Sequence, residues 1–340
     1  MPTLNGRRFS GKVIPYLGYA VSLICLVLVY HHFDWEQQWP RIRAVPWYWI
    51  LAAAVTDVAV YCVQGWRWNI LLKPVGVLPV WRSMQAIYVG LFANEVLPLR
   101  PGEVIRSFLQ ARWSGVPFSV VISSVVIERL FDGIWLIIGF YVASFYVELP
   151  SLLVTGSRIL AVLLALIGVS LGIAIFKHDV VEAWLRRSIW AQGFHHLLEA
   201  LSAMGRSRSF YQSFILSWFY LVLQIAPIYF LQIGFNLNLT LGQCAVILVI
   251  LRLGSVPPQA PGNVGTFQWL AILGTMLFGV DQQLATGYAT LLFLVITVPL
   301  WVVGFFALLA TKMKLSQIRH EAHTQPDSSH AITSTTFDGT

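Results

Sequence analysis

Charge is scarce in this chain. Asp, Glu, Lys and Arg make up 11% of its 340 residues, less than half the roughly 25% usual for a soluble domain. Cysteine is scarce too. Cys25, Cys62 and Cys244 are far apart in apolar segments, which excludes a disulfide framework and offers no metal-ligand spacing. The eight histidines sit at segment ends or in tails, so neither a metal nor a cofactor is expected. No Walker-type Gly-rich Lys motif occurs, which argues against direct use of ATP. The charged motifs of the chain hold no carboxylate–His pair or metal-ligand cluster, so the chain is not expected to be an enzyme. The longest polar stretch, residues 177–209, is too short for a soluble catalytic domain.

What is abundant is apolar: 57% of the residues are hydrophobic, and several runs exceed the ~18 residues that read as a spanning helix. The expected fold class is an all-α polytopic membrane protein. Its net charge of +7 is no sign of nucleic-acid binding, because cytoplasmic loops of membrane proteins carry excess Lys and Arg. Residues 1–12 form a polar cytoplasmic N-terminus. A single transmembrane domain then covers 13–315, with full spans at about 13–30, 47–72, 118–147, 152–176, 210–233 and 284–310. The first run is retained rather than cleaved, since no small-residue cleavage site follows it. Residues 31–46 read as an outer loop. Asp57 lies inside the second span, and Arg67 and Lys73 mark its inner end. An amphipathic helix at about 179–204 lies on the inner membrane surface, and 316–340 is a disordered cytoplasmic tail.

Two stretches interrupt the apolar pattern: Glu95-Val-Leu-Pro-Leu-Arg-Pro-Gly-Glu-Val and Ser255-Val-Pro-Pro-Gln-Ala-Pro-Gly-Asn-Val. Val96/Val256, Pro98/Pro258, Pro101/Pro261, Gly102/Gly262 and Val104/Val264 all coincide at an offset of 160. Paired interruptions in corresponding halves are the sequence mark of a transporter's midplane site. Each stretch is flanked by apolar runs too short to cross alone, so both are read as re-entrant hairpins, at about 83–113 and 242–280. With that reading Arg67, Lys73, Arg82, Arg106, Arg112, the 177–208 cluster, Lys312, Lys314 and Arg319 fall inside with the N-terminal basic residues, against Arg41 and Arg43 outside. The positive-inside rule favours this arrangement. Three spans separate the hairpins, so they are oppositely oriented, as an inverted repeat.

Charges at membrane depth are costly and mark function by default. Glu95, Glu103, Glu128 and Asp132 stand against Arg100, Arg106, Arg129 and Arg252, four acids to four bases. Glu128 and Asp132 share a helix face. Arg100 or Arg252 could fork onto a phosphate. The expected helix starts near Gly102 and Gly262 would turn free N–H groups toward the midplane; the end at Asn263 would favour phosphate, and the Glu103/Arg106 end cationic or hydroxylated groups. The alternative is that the charges, above all Glu128-Arg129-Asp132, only brace the hairpins.

The segments N-x-x-L-P-L-R-P-G-E-x-x-R (94–106), E-R-x-x-D (128–132) and P-x-x-P-G-x-x-G (258–265) resemble the flippase-like family named after the transmembrane region of lysylphosphatidylglycerol synthase. The resemblance spans nearly the whole chain. The matching positions are Asn94, Pro98, Arg100, Gly102, Glu103, Arg106, Glu128, Arg129, Asp132, Pro258, Pro261, Gly262 and Gly265; Gln268 stands where many relatives carry an acid. The resemblance implies movement of a lipid with a polar or charged headgroup between leaflets of a bacterial or archaeal cytoplasmic membrane, with both termini cytoplasmic. Candidate lipids are an aminoacylated phospholipid, a glycolipid or an isoprenoid-linked carrier. Partners would be membrane lipids and either a second copy or a biosynthetic enzyme, with no nucleic acid. No stretch is long enough for the aminoacyl-transferase domain of bifunctional members. A membrane enzyme or accessory subunit in lipid-linked glycan or isoprenoid-lipid biosynthesis is the alternative.

Overall fold

The computed structural model describes residues 10–31, 33–97, 100–145, 151–176, 201–255 and 260–313, and among them all regular structure is helical. The helices are α1 (Ser10–Tyr30), α2 (Trp35–Ala44), α3 (Trp47–Leu72), α4 (Val80–Val96), α5 (Gly102–Ser114), α6 (Phe118–Ser144), α7 (Ser151–Phe176), α8 (Arg208–Gly234), α9 (Leu241–Gly254), α10 (Thr266–Met276) and α11 (Gln282–Ala310). Among the described residues α3, α8 and α11 are long and apolar enough to cross a membrane. Residues 1–9, Pro98, Pro258, most of the amphipathic stretch 179–204 and the tail from 314 lie outside the described residues. The described end of the amphipathic stretch is helical, with Leu201 and Met204 buried beside α5 and α6.

Local chemistry fixes the helix ends. Ser207 caps α8 by accepting from Phe210 N, Thr240 and Gln243 close a capping box on α9, and Asp281 caps α11. Gly115, at φ +69°, ends α5 in the left-handed conformation that glycine adopts without steric cost. Residues 35–44 differ from the expected loop: they form α2. The Asp34 side chain accepts from Gln37 N at 3.1 Å to start it, and Arg43 stacks on Trp39 at 4.8 Å.

The first interrupted stretch folds as an antiparallel helical hairpin. Ser83 Oγ of α4 donates to Gln110 Oε1 of α5 at 3.1 Å near its base, and Asn94 Oδ1 accepts from Gly102 N at 2.7 Å near its tip. Between these points Gly90 and Gly102 touch backbone to backbone, so a methyl group on Gly102 would run into the Gly90 carbonyl. Small residues at such contacts are how helices pack closely when lipid removes the hydrophobic drive between them. α9 and α10 pair in the same way, Gly254 lying against Leu270 and Gly274 against Ile247.

Shifted by 160, the bounds of α3 and α4 fall within two residues of those of α8 and α9, and the bounds of α6 within six residues of those of α11. The tips differ. α5 begins at Gly102, whereas its counterpart begins only at Thr266, after a 3-10 turn at Pro261–Asn263. There Gly262 (φ +68°), Asn263 (φ +53°) and Gly265 (φ +84°) all take left-handed conformations that break the helix. A helix start near Gly262 is therefore not found.

Two cores result, one around the end of α3 with α4, α5 and α6, the other around α8, α9, α10 and α11. α3 and α8 pack along one another and join them. Outward faces stay apolar: Ile159, Val162 and Leu166 of α7, and Val298, Val302 and Phe306 of α11, are exposed. Continuous apolar surface of this kind marks contact with lipid or another apolar phase.

Candidate functional site: a charged ring beside a polar cavity

Six side chains from three helices close a ring of alternating charge. Arg67 of α3 holds Glu128 of α6 (Nη2–Oε1, 2.8 Å), whose other oxygen holds Arg106 of α5 (Nη2–Oε2, 2.8 Å). Arg106 Nε donates to Glu103 Oε2 at 2.7 Å, and Glu103 pairs with Arg129. Arg129 reaches Asp132 at 3.4 Å, and Asp132 returns to Arg67. Three guanidiniums and three carboxylates leave the ring neutral, which a low-dielectric interior requires. Arg67 also donates to Ser217 Oγ at 2.9 Å and lies over the Tyr220 ring at 4.7 Å; Arg106 lies over Trp68 at 4.6 Å. The edge formed by the Arg67 and Glu128 side chains is fully buried (0% exposed), while the Glu103 and Arg129 side chains, at 37% and 46%, face a cavity.

That cavity, of about 370 Å³, lies between the two hairpin tips and is walled by α3, α8 and α11. Arg100, in the left-handed region at φ +51°, donates from Nη1 to the Ser255 carbonyl at 3.2 Å and so ties one tip to the other. Arg252 of α9 donates to Gln224 Oε1 of α8. Among the described residues neither Arg100 nor Arg252 has a carboxylate oxygen within 4.0 Å. Glu95 Oε2 accepts from Trp301 Nε1 at 3.3 Å. Asp57 Oδ2 and Asn263 Oδ1 are buried with no hydrogen-bond partner.

The sequence-derived set thus divides. Glu103, Arg106, Glu128, Arg129 and Asp132 meet in the ring. Asn94, Arg100, Arg252 and Asn263 line the cavity beside it. The balance of four acids and four bases is not how the charges pair: Glu95, Arg100 and Arg252 stand outside the ring, and Arg67 enters it. Arg67, expected at the inner end of its span, is buried, as is Arg106, so neither belongs to a loop. Lys73, which follows α3, shows where that helix ends; Arg67 sits more than one turn inside it, and this was the available signal. The helix-start anion sites are also taken. Asn94 occupies the Gly102 N–H, Gln268 Oε1 accepts from Gly265 N at 2.7 Å, and Asn263 N donates to the Ala260 carbonyl. Of the breaks, Pro101 precedes α5, Pro261 opens the 3-10 turn, and Gly265 lies so close to the Ser22 carbonyl of α1 that no side chain fits. Gln224, Tyr220 and Trp301, unassigned from sequence, complete the polar lining or its support. Among the described residues no group of three or more His, Cys, Asp or Glu could hold a metal ion.

Apolar helices of spanning length, packed around a buried charged cavity, define a multi-pass helical membrane protein. More particularly, the chain belongs to the family described as the lysylphosphatidylglycerol synthase TM region, which it matches over residues 16–304. It is similar to a UPF0104 membrane protein of Methanocaldococcus jannaschii, 20% identical over 290 residues that cover 79% of this chain and 86% of that protein. No solved structure matches it.

Proposed function

We propose that the protein is a lipid translocase, a flippase or scramblase, that passes a polar or charged lipid headgroup through the cavity while the acyl tails stay in hydrocarbon. The observation that carries this reading is the pair Arg100 and Arg252, two guanidiniums without carboxylate partners facing a 370 Å³ cavity in a charge-poor chain. A cation without an ion pair at membrane depth is expensive, and a phosphate supplies the bidentate anionic partner that guanidinium geometry matches. The neutral ring then serves as the fixed polar wall of the path.

In this reading α1, α3, α6, α7, α8 and α11 are the six spans. The α4–α5 and α9–α10 hairpins are re-entrant from opposite faces, within an inverted repeat of α3–α6 and α8–α11. Arg82, stacked on Trp81 and Trp113 at 4.2 and 5.0 Å, marks the cytoplasmic interface with Lys73 and Lys312. Both termini are cytoplasmic and the membrane is the cytoplasmic one. Partners are lipids together with a second copy or a biosynthetic enzyme. The protein translocates and performs no bond chemistry.

Reconstitution into vesicles carrying a fluorescent phospholipid, with a quencher confined to one side, tests this directly. Translocation makes the inner-leaflet probe quenchable at a rate set by protein density, and chromatography recovers the lipid unchanged. A chemically altered lipid without leaflet exchange would favour a membrane enzyme, and neither effect would favour an accessory subunit.

A further inference from the structure

Outside the ring the cavity keeps a second set of charges of both signs. Arg100 and Arg252 face it from the two hairpins, and Asp57 of α3 and Glu95 of α4 face it as well. Asp57 is 7% exposed and its Oδ2 has no hydrogen-bond partner. The titratable groups that share its cavity are Tyr61 on its own helix, Glu95 from α4, Arg100 from the first hairpin tip, Glu103 and Arg106 from α5, Arg129 from α6, Tyr220 from α8 and Arg252 from α9; none bonds to it. A buried acceptor left unmade is costly, and for a carboxylate more so. An anion on the two arginines would leave Asp57 unmet and facing a second negative charge. A cation on Asp57 would leave the arginines unmet. A ligand with both charges satisfies each set.

We infer that the cavity takes a zwitterionic phosphate–ammonium headgroup, with the phosphate on Arg100 and Arg252 and a primary ammonium on Asp57. This rests on the translocation reading of the same cavity and names its substrate class. A primary ammonium has three N–H donors for the carboxylate; a trimethylated one has none. At 370 Å³ the space lies near the lower end of small-molecule sites, roughly 300–1,000 Å³, and suits a headgroup rather than whole acyl chains.

Binding of short-chain phosphatidylethanolamine, phosphatidylcholine and phosphatidylglycerol to the full-length protein in detergent is the test, with free phosphoethanolamine as competitor. The ethanolamine lipid is expected to bind at least about tenfold more tightly than the choline lipid, the scale of one charge-assisted hydrogen bond. Asp57→Asn should collapse that ratio. Competition by phosphoethanolamine would place recognition in the headgroup alone, and its failure beside tight lipid binding would assign the site to the lipid; both support the inference. Equal affinity for ethanolamine and choline lipids in the parent overturns it, as does absence of binding or an unchanged ratio in Asp57→Asn. If the variant does not fold, the parent's ratio decides. Selective binding without leaflet exchange would keep the inference and refute translocation; leaflet exchange without headgroup preference would do the reverse.

Discussion

Replacing Glu128 by Gln keeps the side chain's volume and removes one charge from the ring. Its two oxygens hold Arg67 and Arg106 at 2.8 Å each, in a place with no solvent exposure. The variant leaves three guanidiniums against two carboxylates, and an amide presents one acceptor where the carboxylate presented two. Losing one partner of a buried pair costs about 3–5 kcal/mol. At ~2–4 °C per kcal/mol for large domains this lowers the melting temperature by roughly 6–20 °C. Tryptophan fluorescence of detergent-purified protein reads the transition, with the scan rate held fixed because membrane-protein unfolding is commonly irreversible. The control is the double variant Arg67→Met/Glu128→Leu, which removes one charge of each sign. What remains, Arg106–Glu103–Arg129–Asp132, is again neutral, so the double variant should recover most of the loss. A Glu128→Gln protein melting within about 2 °C of the parent, or a double variant less stable than the single, would refute the ring as the brace of the α3–α5–α6 junction.

Arg100→Ala and Arg252→Ala remove cations that lack carboxylate partners. Each should slow leaflet exchange at least about tenfold while lowering the melting temperature less than Glu128→Gln does. Gly102→Ala places a methyl group against the Gly90 carbonyl and the Asn94 side chain, and the overpacking should cost about 1–3 kcal/mol, seen as a lower melting temperature. Gly156→Ala in α7 meets nothing within 4 Å. It should be neutral, or stabilising by up to about 1 kcal/mol through helix propensity; equal effects of the two glycine variants would contradict the packing of the hairpin.

The long helices were legible because hydropathy is local, and both hairpins because Pro and Gly at matched positions break a helix wherever they stand. α2 was not. Its sequence, WEQQWPRIRA, is polar and carries Pro40, and what holds it is the Asp34 cap and packing against α11 rather than an apolar stripe. Which charges pair was also hidden. Glu128 and Asp132 could be placed on one face from their spacing, but their partner Arg67 lies about sixty residues away, where it reads as the inner end of its span. The difference between the tips had the same origin. Pro261-Gly262 matches Pro101-Gly102 in sequence, but in the second hairpin three left-handed residues and the Gln268 cap delay the helix to Thr266. Tertiary partners decide where a glycine ends a helix and where it starts one. Asp57 was visible as a charge within a span, but only the cavity gives it a role.

The most direct measurement of the central claim is a structure of the protein in a lipid nanodisc that resolves headgroups, made on a preparation shown to exchange lipid between leaflets. The expected result is a lipid phosphate within about 3.5 Å of the Arg100 and Arg252 guanidiniums, between the two hairpin tips. Lipid confined to the outer faces of α7 and α11, with the cavity free of headgroups in that same exchanging preparation, would contradict it.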